Sequence, residues 1–170
     1  MTASEAKATA DTLLNLWEFE CAATLKVLAA VKDDNRTYKP DEKSRTAWEL
    51  ATHLAVSDIW FLQSIIDGKF VWDQEGSKKL ESQFESAQAI ADYYGREFTS
   101  RVQQLRALPG EKLEATNTFF EMLTWPNVQF IGFAQNHSMH HRGQLAAYLR
   151  AMGSKVPAIY GASADEPAGT

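Results

Sequence analysis

The sequence contains a single cysteine, Cys21, so neither a disulfide within the chain nor a cysteine-based zinc site can form. Cationic residues are also scarce, since 17 Lys and Arg stand against 22 Asp and Glu, and a nucleic-acid binder would need clustered cations. No apolar run approaches the roughly 20 residues of a membrane helix. The first residues lack the basic and apolar segments of a signal peptide. We therefore expect a cytoplasmic protein that binds neither nucleic acid nor membrane.

The chain is long enough for one domain, because its 170 residues can bury a sizeable single core. No internal repeat and no linker divides it. We expect one domain over residues 1–170 that ends in a tail of about 154–170. The tail is predicted to dock around 156–160 and to be disordered in its small and polar last residues.

Four segments show apolar residues spaced by three and four, the pattern of amphipathic helices. These segments cover about 9–31, 47–66, 83–108 and 126–152. The stretches between them, 67–81 and 111–125, lack this spacing, and a short alternation in the second one favours an extended crossover. Since strands and helices do not alternate, the sequence predicts an all-α four-helix bundle.

Local signals mark the ends of the two middle segments. Thr46 with Glu49, and Ser82 with Glu85, have the spacing of a capping box, in which a hydroxyl and a carboxylate bind each other's backbone amides. Gly68 predicts the end of the second helix.

Three of the four histidines lie within five residues, in the stretch NHSMHHRGQL at 136–145. His137 and His141 are four residues apart, so a helix would place them on one face, one turn apart, where two imidazoles can bind one ion. The zincin motif has the same spacing with Glu after the first histidine, whereas Ser138 follows here, so zincin chemistry is not supported. Hydrogen-bonded core histidines would show the same spacing as a metal site.

The fourth histidine, His53, lies beside the inner stripe of the second predicted helix. In a bundle it would face the core that also holds His137 and His141, and bundles build metal sites from side chains on facing helices. Three histidines from two helices are also the ligand set of an open zinc site. His140 is rotated by about 100° from His141, so we interpret it as a flanking residue.

Several nearby polar residues have both a structural and a functional interpretation. Glu49 could accept a hydrogen bond from His53 or serve only in its capping box. The residues that we expect to be structural rather than catalytic are Cys21, Arg142, Gln144, Tyr148 and Tyr160. Tyr148 and Tyr160 could instead place their phenol groups beside the proposed metal site.

Two stretches together resemble the DinB family of thiol-transferase-like bundles. One is NHSMHHRGQLAAYLRAMGSKVPAIYG at 136–161, with a histidine, three residues, HRGQL, a helix end at Gly and a P-x-x-YG tail. The other is WELATHLAVSD at 48–58, which has the second-helix histidine in the expected place. The resemblance covers nearly the whole chain. It implies an up-down-down-up bundle, often a homodimer, in which His53, His137 and His141 bind one divalent metal, commonly zinc or nickel.

The resemblance also implies an activity. Some members use the metal to activate a low-molecular-weight thiol, such as bacillithiol or mycothiol, and others are regarded as hydrolases. We expect a metal-dependent enzyme that carries out thiol-dependent transfer on small electrophiles. The alternatives are a metal-dependent hydrolase and a non-catalytic, stress-associated metal-binding bundle. No carboxylate stands out as a general base, which favours thiol activation, while a closed shell of four ligands would favour the structural role.

Overall fold

The computed structural model describes residues 1–167, which fold into a helical bundle with a small hairpin. The helices are α1 (Ala3–Ala29), α2 (Ala47–Asp67), α3 (Gln74–Glu81), α4 (Ala87–Ala107), α5 (Gly110–Glu114) and α6 (Asn127–Ala151), with one 3₁₀ turn at Asp33–Asn35. The antiparallel strands are β1 (Thr116–Phe119) and β2 (Leu123–Pro126). Within residues 1–167 no helix combines the length and the apolarity needed to cross a bilayer.

The four long helices α1, α2, α4 and α6 form the predicted bundle, and three contacts between their ends give their directions. The pairs are Lys7 with Arg106, Phe70 with Phe130, and Ala30 with Ser154. They join the start of α1 to the end of α4, the end of α2 to the start of α6, and the end of α1 to the end of α6. The helices therefore run up, down, down and up, and the predicted topology is confirmed.

Aromatic side chains from facing helices fill the centre of the bundle. Trp17 of α1 packs edge-on against Phe98 of α4 at a centroid distance of 5.6 Å, and Tyr94 stacks on Phe98 at 5.5 Å. Cys21 is buried beside them, as expected. Burial raises the pKa of its thiol to about 12, so the thiol stays protonated and is not a nucleophile at neutral pH.

Helix α2, which carries His53, begins and ends where its local signals predict. Glu49 donates its backbone amide to Oγ1 of Thr46 (3.2 Å), and the amide of Thr46 donates to the Glu49 carboxylate (2.8 Å), so the capping box is formed. At the other end Gly68 has φ of 68°, a left-handed conformation that glycine adopts without steric cost. His53 is thus held in the second turn of a well-delimited helix.

Two helix starts differ from the prediction. Helix α1 begins at Ala3 rather than near residue 9, because Thr2 and Glu5 form a capping box of their own. Helix α4 is capped by Ser86, whose hydroxyl accepts from the amide of Ala89 at 3.1 Å. Ser82, the predicted cap, instead ends α3.

The connections contain more regular structure than predicted. The stretch 67–81 holds α3, and the stretch 111–125, expected to be extended, holds most of α5 and the hairpin. In the tail Val156 and Ile159 pack against the core, and Asp165 accepts hydrogen bonds from the Val156 amide and from Arg150. The docking around 156–160 is seen, and hydrogen bonds continue as far as Glu166. The last residues of the tail, 168–170, lie outside the described residues.

Ser86→Ala should lower the free energy of unfolding by about 1 kcal/mol, because the Ala89 amide loses its capping oxygen. Ser82→Ala is the matched control, since its hydroxyl only donates to the Lys79 carbonyl, and it should cost less than about 0.5 kcal/mol. Urea denaturation of both variants measures the difference. A larger loss in Ser82→Ala would favour the cap predicted from the sequence.

Candidate metal centre

The antiparallel packing of α2 against α6 brings the three predicted ligands together. One ligand atom from each of His53, His137 and His141 lies within 4.8 Å of the other two. Nε2 of His53 is 3.3 Å from Nε2 of His141. Two nitrogens that each lie about 2.05 Å from a tetrahedral ion are also about 3.3 Å apart. The cluster, defined by these three residues, could therefore hold one metal ion.

The cluster consists of three side chains and no more. Within residues 1–167 no fourth His, Cys, Asp or Glu joins the group. His140 is exposed, and its ring contacts His141 at a centroid distance of 5.0 Å from outside the cluster. This placement agrees with its interpretation as a flanking residue. A site with three protein ligands has room for a further ligand from solution.

Burial keeps two of the imidazoles neutral. It lowers the pKa of His53 to about 3, with the positive charge of Arg45 and the two other imidazoles acting in the same direction. Burial also lowers the pKa of His141 to about 4, against a hydrogen bond with Gln144 that raises it. Both rings are thus uncharged at neutral pH, and an uncharged imidazole is the form that binds metal.

Gln144 orients His141 through a hydrogen bond of 2.8 Å between Nδ1 and the side-chain oxygen. Because an amide oxygen only accepts, Nδ1 is the protonated atom and Nε2 keeps its lone pair towards His53. Gln144 was expected to be structural rather than catalytic, and the structure places it in contact with one of the three clustered histidines. It sits three residues after His141, a spacing that brings two helical side chains into contact.

Asp58 is the main residue that the sequence analysis missed. Its carboxyl is wholly buried, and its Oδ2 accepts hydrogen bonds from Ser138 (2.5 Å) and Tyr94 (3.1 Å). Its Oδ1 lies 3.8 Å from Nδ1 of His137, and within residues 1–167 neither of these two atoms has a hydrogen-bond partner. A small rotation of the ring would join them, giving the carboxylate–imidazole pair that commonly orients a metal ligand.

Burial raises the pKa of the Asp58 carboxyl, while His137, Ser138 and Tyr94 lower it. A signal for Asp58 was present in the sequence. It lies four residues after Leu54 and three before Phe61, so it interrupts the apolar face of the second predicted helix.

The remaining polar residues have structural roles. Arg142 is buried and pairs with Glu20 at 2.6 Å, and Tyr160 binds the same two side chains, so neither reaches the cluster. Glu49 is engaged in its capping box and makes no hydrogen bond to His53 within the described chain. The phenol of Tyr148 packs near Tyr38 at the edge of a smaller recess beside His141.

Besides the recess at His141, two larger cavities border the cluster and share Arg45, His53 and Trp72 in their walls. One, the polar cavity, has a volume of about 460 Å³ and is lined by charged and hydroxyl side chains, including those of Lys43, Glu49, Lys78 and Glu81. The other, the aromatic cavity, has a volume of about 380 Å³ and also borders His137. Its rings are Trp60, Phe61, Trp72, Phe119, Phe120 and Phe133. The cluster is therefore accessible from two chemically different sides.

Comparison with known proteins gives matches over most of the chain. A model of the DinB family matches residues 4–170. The uncharacterized protein YrdA of Bacillus subtilis is 31% identical over 158 residues, which cover 93% of this chain and 92% of that protein. The uncharacterized protein YjoA of the same organism is 26% identical over 131 residues, covering 76% and 82%.

Two solved structures share the fold. A DinB-like protein from Bacillus cereus superposes with a TM-score of 0.72 at 28% identity, covering 88% of this chain and 97% of that one. The DinB-like protein YjoA from Bacillus subtilis superposes with a TM-score of 0.65 at 22% identity, covering 86% and 96%.

The metal-free protein should lose stability as the pH falls below about 6.5. The unfolded chain binds protons at His53 and His141 near that pH, whereas the folded chain binds them only near their lowered pKa values of about 3 and 4. The unfolded state therefore holds more protons in between, so the free energy of unfolding decreases until the pH reaches about 4 to 3.

Chemical denaturation with EDTA at pH 7, 6 and 5 measures this decrease. The double variant His53→Gln/His141→Gln should show a flatter pH dependence. The control His140→Gln, outside the cluster, should keep the slope of the unmodified protein. Equal slopes in the double variant and the unmodified protein would show that the two imidazoles do not titrate as described.

Asp58→Asn should lower the affinity for a divalent ion by about 10- to 100-fold, because the group facing Nδ1 of His137 loses its charge. The matched control is Asp67→Asn at the exposed end of α2, which should bind metal normally. Competition with a chromogenic chelator gives the affinities, and circular dichroism shows that both variants are folded. Unchanged affinity in a folded Asp58→Asn protein would remove Asp58 from the site.

Proposed function

The chain belongs to the DinB family, and we propose that it is a metal-dependent enzyme that transfers a low-molecular-weight thiol to small electrophiles. The observation that carries this proposal is the open side of the cluster. His53, His137 and His141 offer three ligands; His53 lines both cavities, and His137 lines the aromatic one. Three protein ligands with an accessible further position are typical of catalytic metal sites, whereas structural sites are closed by a fourth ligand.

We propose zinc or nickel as the cofactor, since neutral imidazoles suit both ions. A divalent cation held by the three histidines would lower the pKa of a thiol, or of a water molecule, that reaches its open position. The oxygen-rich ligand sets that magnesium and calcium require do not occur in the cluster.

In this proposal, side chains around the cluster orient the histidines and bind the thiol. Gln144 would hold the ring of His141, and Asp58 would orient His137, so two of the three proposed ligands have a supporting side chain. The polar cavity presents Lys43 and Lys78, which would attract the anionic groups of a polar thiol. In the transfer, the sulfur would bond to the electrophilic carbon, the leaving group would depart with its bonding electrons, and the thiol proton would pass to solvent.

Hydrolysis is the second candidate, and one observation favours it. Glu81 lines the polar cavity, and burial raises the pKa of its carboxyl. A carboxylate with a raised pKa can act as a general base on water. Asp58 cannot take this role from its present position, because it lines neither cavity.

We also propose that the protein acts in the cytoplasm and as a homodimer. The single cysteine, which excludes internal disulfides, supports a reducing compartment. The homodimer is the assembly that the family resemblance implies. Size-exclusion chromatography with light scattering measures the mass directly.

Thiol binding should depend on bound metal. Calorimetric titrations with bacillithiol, mycothiol and cysteine measure this dependence. At least one of these thiols should bind the zinc- or nickel-loaded protein at least about tenfold more tightly than the metal-free protein. Comparing two buffers of different ionisation enthalpy should show that the bound thiol releases a proton.

The matched variants are His137→Ala, which removes a ligand of the cluster, and His140→Ala, which removes its exposed neighbour. His137→Ala should lose both metal and thiol binding, and His140→Ala should keep both. Metal binding without any metal-dependent thiol binding would favour hydrolysis or a structural role.

A further inference from the structure

The aromatic cavity has the size and shape of a small-molecule site. Its volume of about 380 Å³ lies near the lower end of the range of about 300 to 1,000 Å³ for such sites. His53 and His137 form part of its wall, so a molecule in the cavity lies against two of the three residues of the cluster. A cavity of about 150 Å³ already holds one benzene ring, so a single-ring compound with a polar substituent fits in this space.

Its rings are held in place by a backbone hydrogen bond and by contacts with one another. Nε1 of Trp60 donates to the backbone oxygen of Val71 at 2.8 Å, which fixes the orientation of the indole. Phe61 is buried between α2 and α6, where its ring contacts Phe133 and His137. A preformed aromatic wall favours an aromatic ligand, because stacked and edge-on ring contacts add to the burial of apolar surface.

The hairpin adds a further ring at an unusual backbone position. Phe120 and Glu121 have φ values of 46° and 59°, in a turn closed by a hydrogen bond from the Met122 amide to the Phe119 oxygen (2.9 Å). Such turns favour Asn and Gly, and a phenylalanine in them is strained. The turn nevertheless keeps Phe120 nearly parallel to Trp60, at a centroid distance of 5.8 Å and an angle of 12°. The strained position thus places an aromatic ring beside the cavity.

Arg45 gives the cavity a positive charge. None of its lining residues is Asp or Glu, and Arg45 is the one Lys or Arg among them. Its side chain is exposed, and within residues 1–167 its guanidinium makes no hydrogen bond and no ion pair. Its charge also acts on the carboxyl groups of Glu49 and Glu81 in the polar cavity. A guanidinium binds a carboxylate through two parallel hydrogen bonds, and this pairing is the strongest polar contact that the cavity can offer.

We propose that the aromatic cavity binds the electrophilic substrate and that this substrate is a small aromatic carboxylate. Its ring would lie among Trp60, Phe119 and Phe120, and its carboxylate would pair with Arg45. The polar cavity, on the other side of Arg45 and Trp72, is left for the thiol. Because His53 lines both cavities, the two molecules meet at the cluster. The role of the ligand as an electrophile rests on the proposed function, whereas its binding rests on the cavity alone.

The test uses the full-length protein freed of metal, so that a carboxylate cannot bind through a metal ion. Cinnamate and cinnamamide have the same ring and nearly the same size, but only cinnamate is charged. Ligand-observed NMR titrations should give a Kd for cinnamate about tenfold or more below that for cinnamamide, the range expected for a hydrogen bond to a charged group.

Three variants locate the binding. Arg45→Gln should remove the preference for cinnamate, and Phe120→Ala should weaken both compounds by a similar factor. Lys78→Gln changes a residue that lines the polar cavity and not the aromatic one, so it should leave cinnamate binding unchanged. Circular dichroism of each variant reports the fold, which Arg45→Gln should preserve because the side chain is exposed.

Equal affinities for the acid and the amide would overturn the proposal. The proposal would also be overturned if the Arg45→Gln variant still preferred cinnamate, or if the preference were lost in Lys78→Gln and not in Arg45→Gln. These outcomes are independent of the thiol experiment. If cinnamate is preferred but no thiol binds in a metal-dependent way, the thiol chemistry is refuted and this site remains. If a thiol binds in a metal-dependent way but cinnamate is not preferred, only this site is refuted.

Discussion

A carboxylate at the centre of a helical bundle must find hydrogen-bond donors, and in this protein that requirement connects three helices. Asp58 of α2 accepts from Tyr94 of α4 and from Ser138 of α6. An unsatisfied buried carboxylate would be strongly destabilising, so these contacts restrict how α2 and α6 can slide past each other. Since His53 lies on α2 and His137 on α6, the same contacts set the register in which the histidines meet.

The site combines supporting side chains with accessible space. Asp58 faces Nδ1 of His137 at 3.8 Å, and Gln144 accepts a hydrogen bond from Nδ1 of His141. The polar and the aromatic cavities border His53, and the aromatic cavity also borders His137. Burial keeps the imidazoles neutral, and neighbouring side chains orient them. Both conditions favour firm binding of a metal, and the cavities give solution ligands access to it.

Much of the bundle could be predicted because its signals are local. The capping box of Thr46 and Glu49 and the left-handed Gly68 lie within the segments that they delimit. The start of α4 was missed because Asp33, 54 residues earlier in the chain, accepts from the amide of Ala87 and completes the cap. The hairpin was missed because its turn consists of Phe120 and Glu121 instead of the usual Asn and Gly.

In the candidate site, too, features with local signals could be predicted, and features that depend on contacts between distant residues could not. The grouping of the three histidines could be predicted, since His137 and His141 share a helical spacing and His53 lies on the inner side of α2. Asp58 stands out in the sequence only as a break in an apolar face; its role could not be predicted, because its partners Tyr94 and Ser138 come from other helices. The cavities likewise depend on how α2, the 67–81 connection and the hairpin pack together, which no local pattern encodes.

The central claim is that His53, His137 and His141 hold one metal ion with a position left open. X-ray absorption at the metal edge tests it most directly, on untagged protein loaded with one equivalent of zinc. We predict three imidazole nitrogens at about 2.0–2.1 Å and a further light atom from solvent. A spectrum with fewer than two imidazoles, or with four protein ligands, would contradict the claim.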